Sequence, residues 1–505
     1  MIKLIDLDKV RASTYNPRKS DPHRLDLLEL SLRKLGFLSP IVADAKGEII
    51  SGHQRSYVAR RMGVKKVPVL IIGRMPLEKR KSLNIVFNRA TNDLKRSDTC
   101  ATITEHISHY DVEAIGKSLP DLDFDSPEFY PCMNTQLGDT VGLMKKNASK
   151  YNIYAESLSS VLMRFGCELP VIVDPDDNVV NGIGRLMNYA SKKIKAVGIV
   201  RITKEQAEFA DLMLNYLSMD FDIQTRYADT LRYNSFMRSR NTRNGGLGCG
   251  FYKGIWPRLA CEDTMELSGK KYDEWTAKFG KSIVDFGAGK LNNTRILREA
   301  GLSVSAFEPY FLAVGEDISK QESRKIVLRF LDEISDGREF SAIFISSVFN
   351  SVPFMADRKC IATICSALSS PDTICVCWTQ GVNSGNNRGI ASEGNCKTLS
   401  RQLCFNVDYE DNVVLGDFSS LPKVQKYHTK KEIYEIFSEV YEEIMRLDII
   451  DSFCYLEARK PKLDIDRLAK ALEFEFNLPY PDGTRMELVA EAKAAFSKRL
   501  GIEIK

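Results

Sequence analysis

Two glycines and a downstream carboxylate near the middle of the chain have the spacing of a nucleoside site. Gly287 and Gly289 follow an apolar run, 282–286, that predicts a strand, and a helical run follows them. Glu308 ends a second predicted strand and lies 23 residues after Asp285. Such glycines let the backbone turn sharply and approach a ligand, while an acid at the end of the next strand reaches ribose hydroxyls. The spacing predicts a nucleoside-cofactor pocket. A dinucleotide fingerprint is excluded because Lys290 and the residues after it supply no third glycine.

A second constellation, Gly52-His53-Gln54-Arg55, follows another predicted strand and opens a helix. Backbone N–H groups at a helix start, together with the helix dipole, favour anions, so this turn predicts a phosphate site with Arg55 as its main cation. His53 is either a general base or a side chain that hydrogen-bonds the turn. The candidates to complete the site are Asn16, Arg18 and Arg89.

The first part of the chain contains an internal repeat. Adding 130 to the numbering places Arg55 on Arg185 without a gap, and Ile183 and Gly184 replace His53 and Gln54. Any chemistry of the His-Gln pair is therefore expected only in the first copy, whereas Arg185 is expected to hold a phosphate. The other matching positions are Gly36 with Gly166, Pro40 with Pro170, Val42 with Ile172, Asp44 with Asp174, Ile50 with Val180, and Gly52 with Gly182.

Residues 226–258 form a basic aromatic segment. It has seven Lys or Arg residues and one acid, a net charge of +6, among six aromatic residues. Cations that neutralise phosphates and rings that stack on bases are typical of nucleic-acid contact, so we predict that role for Arg238, Arg240 and Arg243. The competing interpretation is a solvated basic face with core aromatics.

Alternating strands and helices predict how these residues are positioned. From residue 269 to 461 the pattern indicates an α/β fold with a mainly parallel sheet. A third strand, 326–331, would bring Asp332 to the pocket. A fourth strand, ending at Ser346, opens into a corner with Asn350 and Pro353. The predicted organisation is two α+β domains at 1–98 and 138–222 joined by a linker at 99–137, the basic segment at 223–268, the α/β domain at 269–461 and a helical tail at 462–505.

Composition limits the class of protein. With 505 residues and 44% hydrophobic content, the chain is long enough for several cored domains. The 71 basic and 67 acidic residues give a net charge of only +4, so any nucleic-acid contact must be local. Twelve cysteines without paired Cys-x-x-Cys spacing predict no metal site. The sequence lacks an apolar run of about 18 residues, so we expect no membrane span and a cytoplasmic location. Oligomeric state stays open.

The run 281–309 resembles motif I and the second-strand acid of class I S-adenosylmethionine-dependent methyltransferases, and the likeness extends loosely over 270–461. This resemblance implies a Rossmann-like domain with S-adenosylmethionine as cofactor. Its methionine and ribose would lie against Asp285, Gly287, Gly289 and Glu308, its adenine near Asp332, and Ser346 would also contact it. Asn350 would orient the acceptor, with Pro353 beside it. The tight Pro-Pro clamp of amino-methylating DNA enzymes is missing.

Residues 2–94 resemble the amino-terminal domain of the ParB/sulfiredoxin fold, because the order and spacing of the Gly-His-Gln-Arg turn and its flanking elements agree. The resemblance implies contact with phosphate or nucleic acid and extends to a nucleoside triphosphate at the first domain. Residues 138–222 resemble a degenerate second copy.

Together these features predict a methyltransferase that acts on DNA, with ParB-like domains that position the nucleic acid. The combination resembles modification proteins of phages and mobile elements that evade restriction, and such a protein would act in the host cytoplasm. Two alternatives stay open. One is a nucleotide-binding DNA clamp with a degenerate methyltransferase-like domain. The other is a nuclease that uses Asp21, Asp44 and Glu48.

Overall fold

The structure, a computed structural model, forms two compact units. The first comprises Met1–Ala228 with Ser392–Tyr409 and Asp417–Leu421, and the second comprises Asp229–Ala391, Glu410–Gly416 and Pro422–Lys505. None of the described helices is long and apolar enough to cross a membrane. The described residues are 2–13, 22–74, 80, 83–84, 87, 91, 93, 100–217, 232, 246–260, 265–312, 318–382, 405–406, 413–416, 423–480 and 482–505.

The first unit begins with a small mixed sheet. Its elements are β1 (Ile2–Asp6), α1 (Pro22–Leu35), β2 (Ile41–Ala43), β3 (Ile49–Ser51), α2 (His53–Arg61) and β4 (Lys66–Ile71). The strand order is β1-β4-β2-β3, in which β2 runs parallel to β4 and the other pairs are antiparallel. We call these residues, 2–71, the first repeat.

Two helices, α3 (Cys100–Ser108) and α4 (Val112–Lys117), lie within the predicted linker, and a second sheet follows. The elements of that sheet and its helices are β5 (Gln136–Asp139), α5 (Thr140–Lys146), α6 (Ile153–Arg164), β6 (Val171–Val173), β7 (Val179–Asn181), α7 (Ile183–Ser191), β8 (Ala196–Arg201) and α8 (Lys204–Asp211). We call residues 136–201 the second repeat.

The two sheets agree in topology and in register. The second has the order β5-β8-β6-β7 with the same parallel and antiparallel pairs. Val42 pairs with Leu70 and Ser51, and Ile172, 130 residues later, pairs with Val200 and Asn181. Both α2 and α7 start from a left-handed glycine.

The second unit has a six-stranded sheet with helices on its faces. The strand order is β10-β9-β11-β12-β17-β16. The elements are α9 (Gly269–Phe279), β9 (Ser282–Phe286), α10 (Asn292–Glu299), β10 (Ser303–Phe307), α11 (Lys320–Ser335), β11 (Ala342–Ser346), α12 (Met355–Leu368), β12 (Ile374–Gln380), β13 (Phe405–Asn406), β14 (Val413–Gly416), β15 (Lys423–Lys426), α13 (Lys430–Ser438), β16 (Tyr441–Ile450), β17 (Phe453–Pro461), α14 (Ile465–Glu475) and α15 (Val489–Leu500).

The sheet is mixed rather than mainly parallel. Its first three neighbouring pairs are parallel, and β17 is antiparallel to both β12 and β16. The helices of the predicted tail belong to this unit, because Leu468 and Leu472 of α14 and Phe496 of α15 are buried in its main apolar cluster. The tail therefore packs on the second unit.

The predicted third strand is wrong. Residues 326–331 lie inside α11, where Val327, Phe330, Leu331 and Ile334 are buried. Their spacing of three and four residues is that of one face of a helix, and a strand would need alternation. Asp332 consequently lies on the exposed face of α11.

Candidate functional site

A cavity in the second unit lies at the carboxyl ends of the central strands of the six-stranded sheet. β9 is followed in sequence by β10 on one side and then by β11 on the other, so the direction of chain progression reverses at β9. Open α/β sheets bind ligands at such a switch point. The cavity has a volume of about 690 Å³. We call it the sheet cavity.

A glycine turn forms one wall of the sheet cavity. Gly287 has a φ of 76° and Gly289 a φ of 58°. A side chain at position 287 would overlap that of Val348. The amides of Gly287 and Ala288 donate to the carbonyl oxygen of Phe307 at 2.8 and 3.0 Å, which ties the turn to β10. Gly287 is thus required both by backbone conformation and by close packing, and Gly289 is favoured by its positive φ.

Glu308 lies beside this turn in a fixed orientation. Its Oε2 accepts a hydrogen bond from the amide of Gly289 at 2.6 Å, and its Oε1 accepts one from Tyr310 at 2.8 Å. Burial raises the pKa of Glu308 to about 7. Each carboxylate oxygen has a second lone pair, so Glu308 can still accept hydrogen bonds from ligand hydroxyls.

Asp285 does not line the cavity, so its predicted contact with the cofactor is corrected. It is buried behind the turn, where its Oδ2 accepts a hydrogen bond from the hydroxyl of Thr294 at 2.6 Å. Burial raises the pKa of Asp285 to about 6. Asp285 is therefore a positioning residue that fastens α10 to β9. Asp332 does not line the cavity either, because it lies on the exposed face of α11.

The predicted corner residues Ser346, Asn350 and Pro353 all line the sheet cavity. The Oδ1 atom of Asn350 accepts hydrogen bonds from the amide of Gln380 and the hydroxyl of Thr379, both at 2.6 Å. A backbone N–H can only donate, so the carbonyl oxygen of the Asn350 side chain must face β12. The amide nitrogen of Asn350 is the group that is left to contact a ligand.

An ion pair that no sequence pattern predicted also lines the sheet cavity. Arg232 donates through Nε and Nη2 to the carboxylate of Asp357 at 2.8 and 3.2 Å. Its guanidinium lies 4.9 and 4.8 Å from the ring centroids of Phe354 and Phe474. Glu475, the last residue of α14, also lines the cavity, and burial raises its pKa to about 8. These residues come from distant parts of the chain, so no local motif connects them.

The described part of the basic segment is mostly internal. Lys253 is 1% exposed and pairs with Asp451, and Phe251 and Tyr252 are buried in an apolar cluster. This part agrees with the competing interpretation of core aromatics. Arg238, Arg240 and Arg243 lie outside the described residues.

The first repeat has a smaller cavity at its predicted phosphate turn. Gly52 has φ 99° and ψ 21° and caps α2. Gly52, His53, Gln54 and Arg55 line a cavity of about 150 Å³, together with side chains of α1 and of the second repeat. We call it the repeat cavity. Arg55 is oriented by its Nη1, which donates to the carbonyl oxygen of Ser39 at 2.5 Å. Asn16, Arg18 and Arg89 lie outside the described residues.

His53 is engaged with the amino-terminal segment. Its Nε2 lies 2.6 Å from the hydroxyl oxygen of Ser13 and accepts from the amide of Ser13 at 3.4 Å. The ring is 8% exposed. Of the two interpretations of His53, this geometry fits the side chain that hydrogen-bonds around the turn.

The carboxylates proposed for a nuclease are paired with a cation. The Nη1 atom of Arg80 donates to both Asp44 and Glu48. The other Asp44 oxygen accepts from the amides of Lys46 and Glu48, which closes the turn between β2 and β3. Asp21 lies outside the described residues, and the described part of the chain holds no cluster of three or more His, Cys, Asp or Glu suited to a metal ion.

A carboxyl group of the chain itself occupies the equivalent turn of the second repeat, and burial raises the pKa of this group, Asp93. Oδ2 of Asp93 accepts hydrogen bonds from the amides of Gly182 and Ile183 at 2.6 and 3.1 Å. Arg185 is 2% exposed and donates to Asn181 Oδ1 at 2.7 Å and to the carbonyl oxygen of Pro170 at 3.0 Å. The prediction that Arg185 holds a phosphate is therefore wrong, because an internal carboxylate occupies the position.

Helix packing also closes the second turn. A Cβ atom at Gly184 would overlap the backbone of Ala155 in α6, so the absence of a side chain lets α6 lie directly against α7. The first repeat has Gln54 at the matching position, and α1, the counterpart of α6, lines the repeat cavity beside it. The turn is therefore open in the first repeat, which has Gln54, and filled in the second repeat, which has Gly184.

We expect Asp93→Ala to lower the free energy of unfolding by about 3–5 kcal/mol, because it leaves the buried Arg185 without its counter-charge. Urea denaturation of the full chain measures this change. Asp176→Ala is the control. Its ion pair with Lys204 is exposed, so its loss should cost less than about 1 kcal/mol. Equal effects of the two variants would contradict the assigned role of Asp93.

Comparison with known proteins identifies the amino-terminal domain. The family model of the ParB N-terminal domain matches residues 1–86. The ParB-like nuclease domain-containing protein YnaK of Escherichia coli (strain K12) is 28% identical over 75 residues, which cover 15% of this chain and 86% of that protein. The uncharacterized protein ORF326b of Acidianus two-tailed virus is 33% identical over 90 residues, which cover 18% of this chain and 24% of the viral protein. The match thus spans about a quarter of the viral relative.

Two solved structures also match parts of this chain. The C-terminally truncated chromosome-partitioning protein ParB from Caulobacter crescentus, complexed with CTP-gamma-S, is 19% identical and matches 33% of this chain and 89% of its own, with a TM-score of 0.19. The PH0226 protein from Pyrococcus horikoshii OT3 is 11% identical and matches 42% of this chain and 98% of its own, with a TM-score of 0.24. On the family match, residues 1–86 of this chain are similar to the ParB N-terminal domain.

Proposed function

We propose that this protein is an S-adenosylmethionine-dependent methyltransferase acting on DNA, in which the ParB N-terminal domain binds a nucleotide or nucleic-acid phosphate. The observation that carries the proposal is the sheet cavity. It lies at the switch point of an α/β sheet, and Gly287 and Glu308 face it from the ends of adjacent strands. This position is the one at which such sheets bind nucleoside ligands.

The residues of the sheet cavity fit that cofactor. A volume of about 690 Å³ is in the range of cofactor sites. Carboxyl groups outnumber cations in its lining by four to two. S-adenosylmethionine has a sulfonium centre that supplies an electrophilic methyl group. The charged lining residues are Glu308, Asp357, Asp451, Glu475, Arg232 and Lys290.

Two described residues have definite roles in this proposal. Glu308 would bind ribose hydroxyls, since its orientation is fixed by the amides of Gly289 and Tyr310. Asn350 would contact the acceptor through its amide nitrogen. That group donates hydrogen bonds, so it suits a ring nitrogen or carbonyl oxygen of a base rather than an exocyclic amine. Holding the acceptor in this way supplies orientation, which is a large part of the rate of a displacement reaction.

The ParB N-terminal domain would supply the phosphate contact. Gly52 and the start of α2 direct backbone N–H groups to the repeat cavity, and Arg55 lines it. The second repeat supports this role, because the amides at its matching turn donate to a carboxyl oxygen of Asp93. We interpret the second repeat as a degenerate copy of the domain that does not bind phosphate.

A second candidate function follows from the extent of the family match, which is confined to residues 1–86. The protein would then be a nucleotide-binding DNA clamp, and the α/β unit a degenerate module. Calorimetric titration of the full chain with S-adenosylhomocysteine, CTP and ATP separates the two. Binding of S-adenosylhomocysteine, with labelled methyl groups transferred to DNA, supports the methyltransferase. Binding of a nucleoside triphosphate alone supports the clamp.

We expect Gly287→Ala to weaken S-adenosylhomocysteine binding at least 10-fold, since the added Cβ overlaps Val348 and the residue has a left-handed φ. Calorimetry gives the dissociation constant. Gly301→Ala is a matched control: Gly301 also has a positive φ, 85°, but no atom lies within 4 Å of an added Cβ. The affinity of the Gly301→Ala protein for S-adenosylhomocysteine should equal that of the unmodified protein. Unchanged affinity in Gly287→Ala would remove the basis of the site.

We expect Arg55→Ala to weaken binding of nucleoside triphosphate about 10-fold or more, because a charge-assisted hydrogen bond to phosphate is lost. Equilibrium binding of fluorescent CTP and ATP measures the effect. Arg61→Ala serves as the control, because Arg61 lies on the same helix but pairs with Asp26 and Glu29. If both variants lose the same affinity, Arg55 has no specific part in phosphate binding. Metal-dependent DNA cutting that is abolished in Arg55→Ala would instead indicate a nuclease.

A further inference from the structure

Four carboxylates line the sheet cavity, and three of them are already engaged. Glu308 accepts two backbone hydrogen bonds, from Gly289 and Tyr310. Asp357 accepts hydrogen bonds from Nε and Nη2 of Arg232.

Asp451 is the third, and it pairs with Lys253. Each of these three carboxylates has a structural partner in the unit itself. The fourth carboxyl group, that of Glu475, has no such partner in the described part of the chain, so a ligand in the cavity is the candidate partner for it.

Glu475 accepts no hydrogen bond from any residue that the structure describes. It is 5% exposed, and its carboxyl group lines the sheet cavity at the end of α14. A buried carboxyl group without a hydrogen-bond partner costs free energy that a bound ligand would recover. The unpartnered group therefore points to a ligand that offers a hydrogen-bond donor.

The position of Glu475 relative to Glu308 limits which part of the ligand it meets. The carboxyl groups of Glu475 and Glu308 are near enough to interact electrostatically. In the proposed function, the glycine turn contacts the methionine part and Glu308 the ribose. The base is attached to the ribose on the side away from the methionine, so it is the part that extends past Glu308.

We infer that Glu475 binds the edge of the adenine ring that carries the 6-amino group and the neighbouring ring nitrogen. This inference rests on the proposed function and adds a recognition residue to it. It assigns to α14 the task that was predicted for Asp332, which α11 carries on its exposed face. Glu475 would thus distinguish adenine from a base without the amino group.

The protonation state of Glu475 suits this edge. Burial, together with the neighbouring Asp357 and Glu308 carboxylates and against the effect of Arg232, raises its pKa to about 8. Near neutral pH the group is therefore mostly a neutral acid. A neutral carboxyl group has one donor and one acceptor, which match the ring nitrogen and the amino group of adenine respectively.

The test compares S-adenosylhomocysteine with its analogue that lacks only the 6-amino group, using calorimetry on the full chain. We expect the unmodified protein to prefer the adenine compound by about 10-fold, because the analogue leaves a buried acceptor unpaired. Glu475→Ala should reduce this preference to less than about 3-fold. Glu475→Gln should keep it, since an amide also offers one donor group and one acceptor to this edge.

Glu473→Ala is the control on the same helix, because Glu473 is exposed and pairs with Lys493. It should leave the preference unchanged. A Glu475→Ala protein that binds S-adenosylhomocysteine with an undiminished preference overturns the inference while leaving the proposed function intact. If Glu475→Ala does not fold, loss of the preference in Glu475→Gln overturns it equally. Absence of any S-adenosylhomocysteine binding by the unmodified protein contradicts the proposed function itself.

Discussion

Backbone N–H groups at the turn between a strand and a helix need an acceptor, and this requirement governs every candidate site in the chain. They are strong donors that helix geometry leaves without an intrahelical partner. In the second repeat the acceptor is Asp93, and in the second unit it is Glu308, which takes the amide of Gly289. In the first repeat the matching turn faces a cavity. The same local geometry is thus closed in one repeat and open to a ligand in the other.

The parts of the fold that were predictable from sequence are those coded by neighbouring residues. The strand and glycine turn at 282–289 and the offset of 130 residues are local patterns, and both coincide with elements of the structure. The position of Glu308 beside the turn followed from its spacing. In these cases the alternation of a strand, or the backbone conformation that a turn requires, leaves few possible structures for the segment.

The rest depended on contacts between distant residues. An apolar run at 326–331 fits either a short strand or a buried helix segment, and its burial on α11 decides the matter. Arg232, Asp357 and Glu475 come together only when α12 and α14 pack, so no spacing could connect them. Arg185 is of the residue type that was predicted to hold a phosphate, yet Asp93, 92 positions earlier, accepts the amides of this turn. The residues around Arg185 do not indicate that Asp93 lies beside it, and those around Asp93 do not indicate Arg185.

The filled turn of the second repeat has a consequence for how its sequence can change. Once Asp93 satisfies the amides of Gly182 and Ile183, the turn is stable without any bound molecule. Positions 183 and 184 then need no side chain for a ligand, and the neighbouring helix limits their size. Gly184 is set by the close approach of Ala155. An internal carboxyl group can in this way keep a strand-to-helix turn folded without anything bound to it.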